Sequence, residues 1–112
     1  LEVIDFFAKQ IKKARDRGVR DIIIDPGFGF AKTQNQNFEL FKKISLFRLF
    51  LFLILVGISR KSMIYKTLET EPSEALNGTT VLHTIALQNG ATVLRVHDIK
   101  EVKETIALLK HL

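Results

Sequence analysis

Charged side chains stand at the ends of three short apolar runs in this sequence. Asp25 ends the run IIID, Lys61 follows the run LILVGI, and Arg95 and His97 lie in the run TVLRVH. A carboxylate accepts two hydrogen bonds from the N–H and NH₂ groups of an amidine-like edge, and arginine and histidine hold phosphate oxygens. Together these residues suit a ligand that has a guanidine-like heterocycle and a phosphate group.

Ser62 adds an anion-binding position to this set. The stretch SRKS, residues 59–62, opens a predicted helix. The free backbone N–H groups at the start of a helix favour a negative charge. A carboxylate on the same ligand would suit this position.

Each of these residues also has a purely structural explanation. Asp25 could cap the Pro-Gly turn that follows it, and Lys61 could be solvated. Arg95 could pair with Asp98 on the surface. For any single residue the structural explanation is the stronger one, but three strand ends that behave alike favour a shared site.

Helical and extended patterns alternate along the chain. Apolar residues recur at helical spacing in residues 1–17, and Gly18 is placed to end that helix. Short apolar runs predict strands within residues 19–25, 53–58 and 91–97; the first has the pattern of a strand buried on both faces, and the second is also predicted to be buried. Further helices are predicted from about Asn37, from Ser62, from Pro72 to the Asn-Gly pair at 89–90, and after Asp98, an expected N-cap with Glu101 completing a capping box.

This order predicts parallel βα units, whose ligands bind at the carboxyl ends of the strands. Lys61 follows Asp25 by 36 residues, and His97 follows Lys61 by the same interval. Neighbouring parallel strands lie about 4.8 Å apart, so residues at their ends can converge on one pocket. The spacing fits three units of a (β/α)8 barrel and an open doubly wound sheet equally well.

Several other kinds of site are excluded by the motifs. GISRKS lacks the glycine before lysine that a phosphate-binding P-loop needs, and DPGFGF lacks the third glycine of a dinucleotide-binding fingerprint. His83 lies among apolar residues and is predicted to pack in the core, while His111 is one residue from the end. The chain has no cysteine, and no pair of residues has metal-ligand spacing, so we expect no metal site built from this chain alone.

The composition sets further limits. The net charge is +5 and 46% of the 112 residues are hydrophobic, enough for a packed core. Six of the 17 cations lie in residues 9–20 without interleaved aromatics, so we interpret them as a solvated helix face and expect no nucleic-acid partner. The apolar stretch 46–56 is too short to span a bilayer, and we expect no membrane partner. The start at Leu1 leads us to expect a part of a longer protein.

Four motifs in one order carry a resemblance to a known family. DPGFGFAKT, GISRKS, LNGTT and LRVHD, from about Asp21 to the C-terminus, resemble dihydropteroate synthase, an enzyme of folate biosynthesis. The resemblance implies the C-terminal portion of a TIM (β/α)8 barrel: about three βα units after one helix. Residues 1–112 would then form a partial pterin-binding domain without the first five strands of the barrel.

The resemblance also implies a reaction and a role for each residue. The family joins 6-hydroxymethyl-7,8-dihydropterin diphosphate to 4-aminobenzoate and releases pyrophosphate. By resemblance, Asp25 holds the amino-pyrimidine edge, Lys61 donates to the pterin from the other side, and Gly57 lets the pterin approach. The resemblance further implies that Arg95 and His97 bind the diphosphate. It implies that Ser62 binds the aminobenzoate carboxylate, and that Phe30 and Lys61 flank the aminobenzoate ring.

Further expectations follow from the family. Magnesium would assist, with its protein ligand in the early strands that are absent here. Sulfonamides would compete with aminobenzoate, two subunits would pair through late helices, and the protein would be cytoplasmic. We expect residues 1–112 alone to have little or no activity and, with open sheet edges, to associate or be partly molten.

The sequence departs from the family between the second helix and the second strand. Leu51 and Leu53 stand where the family usually has glycine and proline, and Leu49 stands at a commonly polar position. The usual helix stop is therefore missing. Two alternatives to the synthase remain: a non-catalytic pterin- or phosphate-binding module, and a methyltetrahydrofolate-binding methyltransferase. SRKS and RVH disfavour the methyltransferase, since methyl transfer has no diphosphate to hold.

Overall fold

A computed structural model of the chain describes residues 2–29 and 32–112. Helices and strands alternate in the predicted order, and the predicted α/β class is confirmed. The elements are α1 (Glu2–Asp16), β1 (Ile23–Ile24), α2 (Gln34–Lys42), a 3₁₀ helix (Ile44–Phe50), β2 (Leu53–Val56), α3 (Ser62–Tyr65), a 3₁₀ turn (Pro72–Glu74), α4 (Leu76–Gln88), β3 (Val93–Leu94) and α5 (Ile99–Leu109).

The strands form one parallel sheet in the order β1-β2-β3. β1 and β3 are only two residues long, far shorter than the predicted runs. Ile24, Ile54 and Val56 are buried, whereas Ile23 is 53% and Leu53 is 50% exposed. This alternation shows that within these 112 residues the helices cover one face of the sheet, so the prediction that the first strand is buried on both faces is wrong for β1.

A capping box sets the start of α2 earlier than predicted. The Thr33 hydroxyl accepts from the backbone N–H of Gln36 at 3.1 Å, and the Gln36 side chain accepts from the backbone N–H of Thr33 at 2.9 Å. The Thr-x-x-Gln signature was present in the sequence. The helix therefore begins at Gln34 and not near Asn37.

The apolar stretch 46–56 does not continue as one helix. Its 3₁₀ helix ends where Leu51 adopts the left-handed conformation, with φ 60°. Arg48 joins the end of this segment to α4 by donating from Nη2 to the Gln88 carbonyl at 3.0 Å. Among the described residues, no helix combines the length and the apolar composition that crossing a bilayer requires.

Leu51→Gly is expected to raise the free energy of unfolding by about 1 kcal/mol, because a left-handed residue with a Cβ costs ~1–2 kcal/mol that glycine avoids. The leucine side chain is 91% exposed, so its loss removes little packing. Chemical denaturation measures the change. Leu49→Gly is the control, since Leu49 is also exposed but not left-handed and should lose stability. A destabilised Leu51→Gly protein would contradict this account.

His83 packs in the core as predicted. It lies in α4 and is 1% exposed. Among the buried side-chain nitrogen and oxygen atoms of the described residues, its Nε2 is the one without a hydrogen-bond partner. Burial lowers the pKa of His83 from its ordinary value of 6.5, although Asp98 partly opposes this. The folded state therefore keeps His83 neutral.

This burial predicts a loss of stability in acid. Below pH 6.5 the unfolded chain binds a proton on His83 more readily than the folded chain does. The contribution of neutral His83 to the free energy of unfolding is therefore fully present above that pH and decreases below it. Denaturation between about pH 8 and pH 5 should show this decline. His83→Leu should remove part of it; an unchanged pH dependence in that variant would contradict the assignment.

Candidate functional site

The sheet register brings the three strand ends together at one edge. Val56 pairs with Leu94, so the next residues along the two strands, Gly57 and Arg95, are also neighbours. On the other side of β2, Ile24 pairs with Ile54, and Asp25 follows directly. The ends of β1 and β3, which lie on either side of β2, are therefore about 10 Å from each other, a distance that an arginine side chain can span.

Arg95 spans that gap and meets Asp25. Its Nη1 lies 3.7 Å from Asp25 Oδ2, with the two side chains 54% and 40% exposed. The guanidinium crosses β2 directly over Gly57: a Cβ added there would lie 2.3 Å from Arg95 Nη2 and 2.7 Å from its Cζ. A Cβ at residue 57 would therefore displace the Arg95 guanidinium from its position across β2.

The purely structural role suggested for Asp25 is found in the structure, whereas the one suggested for Arg95 is not. Asp25 does cap its turn, since Oδ1 accepts from the Gly27 backbone N–H at 2.9 Å, while the other oxygen faces Arg95. The alternative in which Arg95 pairs with Asp98 is wrong. Asp98 is bound by Arg60 instead.

Lys61 is held against the loop that follows β1, so the alternative of a solvated lysine is wrong. Its Nζ donates to the Phe28 carbonyl, and its Cδ would lie 3.3 Å from a Cβ at Gly29. Burial lowers the pKa of Lys61 from its ordinary value. Arg95 and Lys32 lower it further, while Asp25 raises it. These effects show that Lys61, Asp25 and Arg95 share one electrostatic environment.

Two substitutions should move the pKa of Lys61 in opposite directions. Asp25→Asn removes the charge that favours the ammonium form, so the pKa should fall further. Arg95→Ala removes a neighbouring cation, so it should rise. NMR titration of the Lys61 Cε resonance measures both changes, with Asp21→Asn as the control that leaves it in place. No shift in either variant would show that the three groups are not coupled, and shifts of the same sign would contradict the opposite effects assigned to Asp25 and Arg95.

The loop after β1 is fixed by two further contacts. The buried Asn37 side chain accepts from the Gly29 backbone N–H at 2.8 Å, and Lys32 Nζ donates to the Gly27 carbonyl at 2.8 Å. Since Phe28 is 1% exposed, the loop is anchored in the core directly beside the Lys61 ammonium. Phe30, the residue expected against the aminobenzoate ring, lies outside the described residues.

Arg60 holds the loops after β2 and β3 together, a role that was not apparent from the sequence. Its Nε and Nη2 donate to the two Asp98 oxygens at 2.9 and 3.0 Å. Its Nη1 donates to the carbonyls of Pro72 and Ser73, and its backbone N–H donates to Thr79 Oγ1. The Arg60 hydrogen bond is the main reason that the pKa of Asp98 is lowered.

The predicted capping box at α5 is wrong as a consequence. Asp98 occupies the N-cap position, but its side chain makes no capping hydrogen bond because both oxygens are used by Arg60. A partner 38 residues away in sequence cannot be identified from local spacing. Arg60 also adopts a left-handed backbone, with φ 53°.

His97 and Ser62 complete the predicted set. His97 is exposed, and its Nδ1 lies 2.8 Å from the hydroxyl of Ser59, which is only 5% exposed. Ser62 is the first residue of α3, and Lys61 is its N-cap. The structure thus places Asp25, Gly57, Lys61 and Arg95 close together. His97 contacts Ser59 of the neighbouring loop, and Ser62 follows Lys61 directly in the sequence.

A groove of about 1070 Å³ between α1 and α2 offers a different environment. Its lining is mainly apolar and includes Ile4, Phe7, Leu40 and Phe47. Charged side chains, among them Lys32, Glu39 and Lys43, also line this groove, but it lies away from the three strand ends where Asp25, Lys61 and Arg95 meet. The strand ends remain the better candidate.

The described residues do not fit a magnesium ion. Within residues 2–29 and 32–112, no three His, Asp or Glu side chains are grouped so that they could bind a metal. Asp25, the carboxylate at the site, already contacts the Gly27 amide and faces Arg95.

Comparison with known proteins links nearly the whole chain to one family. The sequence model of the pterin binding enzymes matches residues 1–97. Dihydropteroate synthase of Escherichia coli K12 is 39% identical over 111 residues, covering 97% of this chain and 39% of that enzyme. The bifunctional dihydropteroate synthase/dihydropteroate reductase of Helicobacter pylori is 44% identical, covering 99% of this chain and 29% of that enzyme.

Solved structures agree with the sequence comparison. A crystal structure of Yersinia pestis dihydropteroate synthase with a sulfonamide drug superimposes with a TM-score of 0.93 at 33% identity, covering 98% of this chain and 41% of that one. The predicted fold, consecutive parallel βα units of such a synthase, is thereby confirmed. The chain spans only about two fifths of the curated E. coli enzyme.

Proposed function

Since the chain belongs to the family of pterin binding enzymes, we propose that it is part of a dihydropteroate synthase and provides the pterin-diphosphate side of the active site. The reaction joins 6-hydroxymethyl-7,8-dihydropterin diphosphate to 4-aminobenzoate, with release of pyrophosphate. The observation that carries the proposal is the Asp25–Arg95 pair across Gly57, with Lys61 beside it. It combines a carboxylate for the heterocycle with cations for the leaving group.

Asp25 is suited to the amino-pyrimidine edge of the pterin. Its carboxylate is 40% exposed at the strand edge, and in the free chain its Oδ2 faces a guanidinium, a group with the same N–H and NH₂ donors as that edge. We propose that the pterin takes this place. Arg95 then lies against the pterin ring, and its guanidinium becomes available to the diphosphate.

Lys61 donates to the pterin from the other side of the site. Its side chain is already positioned by the Phe28 carbonyl and by the close approach to Gly29. The neighbouring Ser62 binds the aminobenzoate carboxylate through its hydroxyl and backbone N–H. Phe30 and Lys61 flank the aminobenzoate ring. Sulfonamides, which mimic aminobenzoate, would compete there; the similar Yersinia pestis enzyme has been crystallised in complex with a sulfonamide drug.

Catalysis by these residues is electrostatic. The C–O bond to the diphosphate breaks with positive charge developing at the pterin methylene, and the amine of aminobenzoate then forms the new C–N bond. The Asp25 carboxylate favours the positive charge, while Arg95 and His97 stabilise the negative charge of the departing pyrophosphate. The amine loses its proton to solvent, and no covalent enzyme intermediate is needed.

The proposal also includes a magnesium ion, a second subunit and a cytoplasmic location. Magnesium, which neutralises diphosphate charge when bound, would take its protein ligands from residues outside these 112. A homodimer through late helices is supported by the exposed apolar residues Ile106 and Leu108 of α5. The cytoplasmic location stays a prediction.

Calorimetric titration tests the proposal. The chain should bind pteroate and pyrophosphate, and Lys61→Met should weaken pteroate binding roughly tenfold, the effect of losing one charge-assisted hydrogen bond. Lys66→Met is the matched control, because Lys66 is an exposed lysine one turn further along. Equal losses in both variants, or no binding by a folded chain, would contradict the proposal.

A separate measurement addresses the activity of the chain alone. Without the remaining barrel strands, residues 1–112 should release little or no pyrophosphate from the two substrates. Pyrophosphate release at the rate of a complete synthase would contradict this expectation.

A further inference from the structure

Two consecutive residues after β2 bind two consecutive residues after β3. Ser59 contacts His97, and Arg60 contacts Asp98. The second pair is an ion pair, which fixes the distance between the loops. The first pair involves a hydroxyl and an imidazole, so its geometry also decides where the histidine proton lies.

The proton positions follow from the hydrogen bonds of the Ser59 hydroxyl. Its Oγ accepts from the backbone N–H of His97 at 3.2 Å and lies 2.8 Å from His97 Nδ1. If Nδ1 carried the proton, the hydroxyl hydrogen would need another acceptor, and the described residues offer this 5% exposed serine no other. A buried hydroxyl without an acceptor is costly. The hydroxyl therefore donates to Nδ1, and the proton of neutral His97 lies on Nε2.

We propose that Ser59 is a positioning residue that holds His97 in the Nε2–H tautomer and fixes the plane of its ring. The imidazole is exposed at the strand edge, so the Nε2–H group is the donor that remains for a ligand. An N–H donor suits a diphosphate oxygen, whereas an unprotonated nitrogen would repel it. The assigned ligand rests on the proposed function; the tautomer does not.

NMR of the imidazole nitrogens tests the tautomer directly in the unsubstituted chain. When the imidazole of His97 is neutral, the proton should be found on Nε2, with Nδ1 in the range of an unprotonated acceptor. Free histidine also favours this tautomer, so Ser59→Ala supplies the contrast: its two nitrogen shifts should move towards each other as the other tautomer appears. Ser59→Thr, which keeps the hydroxyl, should restore the original shifts.

A proton on Nδ1 in the unsubstituted chain would overturn the proposal even if Ser59→Ala failed to fold. Unchanged nitrogen shifts in a folded Ser59→Ala protein would overturn it as well.

A double-mutant cycle with pyrophosphate separates positioning from general support of the fold. Ser59→Ala should weaken pyrophosphate binding about 3- to 10-fold in the unsubstituted chain, the effect of one hydrogen bond. In the His97→Ala background the same substitution should have no further effect, because Ser59 acts through His97. Equal losses in both backgrounds would overturn the positioning role. If pyrophosphate does not bind at all, the proposed function fails while the NMR result still decides the tautomer.

Discussion

Replacing Gly57 with alanine is expected to lower pteroate affinity by at least about fivefold. The added methyl group would project into the space above residue 57, where it would lie 2.3 Å from Arg95 Nη2. The proposed complex places the pterin, with Arg95 against its ring, in this same space. The strand cannot move away, since Val56 and Ile58 on either side are fully buried. Overpacking costs about 1–3 kcal/mol, which is a factor of roughly 5–150 in affinity when the cost falls on the bound state.

Calorimetry measures the affinity of Gly57→Ala, and Gly18→Ala is its control. Gly18 has a positive φ of 86° but nothing within 4 Å of an added Cβ. Alanine there should lower stability without changing affinity. Unchanged pteroate binding by Gly57→Ala would show that the space above this residue is not part of the site.

Asp25→Asn is expected to change the affinities for two ligands in opposite directions. Pteroate binding should weaken about 100-fold, because two charge-assisted hydrogen bonds to the heterocycle are lost or weakened. Pyrophosphate binding should strengthen, since Asp25 no longer competes for Arg95 or repels the anion. Asparagine keeps an oxygen that can accept from the Gly27 backbone N–H, so the turn should be preserved.

Parallel calorimetric titrations with the two ligands measure this contrast. Asp21→Asn is the matched control, an exposed acid four residues earlier in the same segment. It should leave pteroate affinity unchanged. If Asp25→Asn lost affinity for pteroate and for pyrophosphate to a similar extent, the fold would be damaged. That result would contradict separate roles of Asp25 for the pterin and Arg95 for the diphosphate.

The meeting of Asp25, Lys61 and Arg95 could be predicted from the sequence because it follows from strand order. Once the apolar runs are interpreted as parallel strands, the residues after them must share one edge of the sheet. The role of Gly57 is different. The resemblance implied only that it makes room for the pterin, whereas the chain without ligand already uses that space for Arg95.

The contacts that hold the loops were beyond the reach of sequence patterns. Arg60 and Ser59 each bind a residue 38 positions away, and neither pairing follows from local spacing. The helix stop at Leu51 was missed for a related reason. The resemblance marked residue 51 as a position where the family usually has glycine, but the propensity of leucine gave no sign that Leu51 itself would adopt the left-handed conformation and end the helix.

The most direct test is an amide NMR titration of the chain with pteroate. If the three strand ends form one site, the signals of Asp25, Lys61 and Arg95 should shift together and fit a single dissociation constant, while α1 should not respond. Shifts confined to one loop, different constants for the three residues, or a response centred on the groove between α1 and α2 would contradict the account.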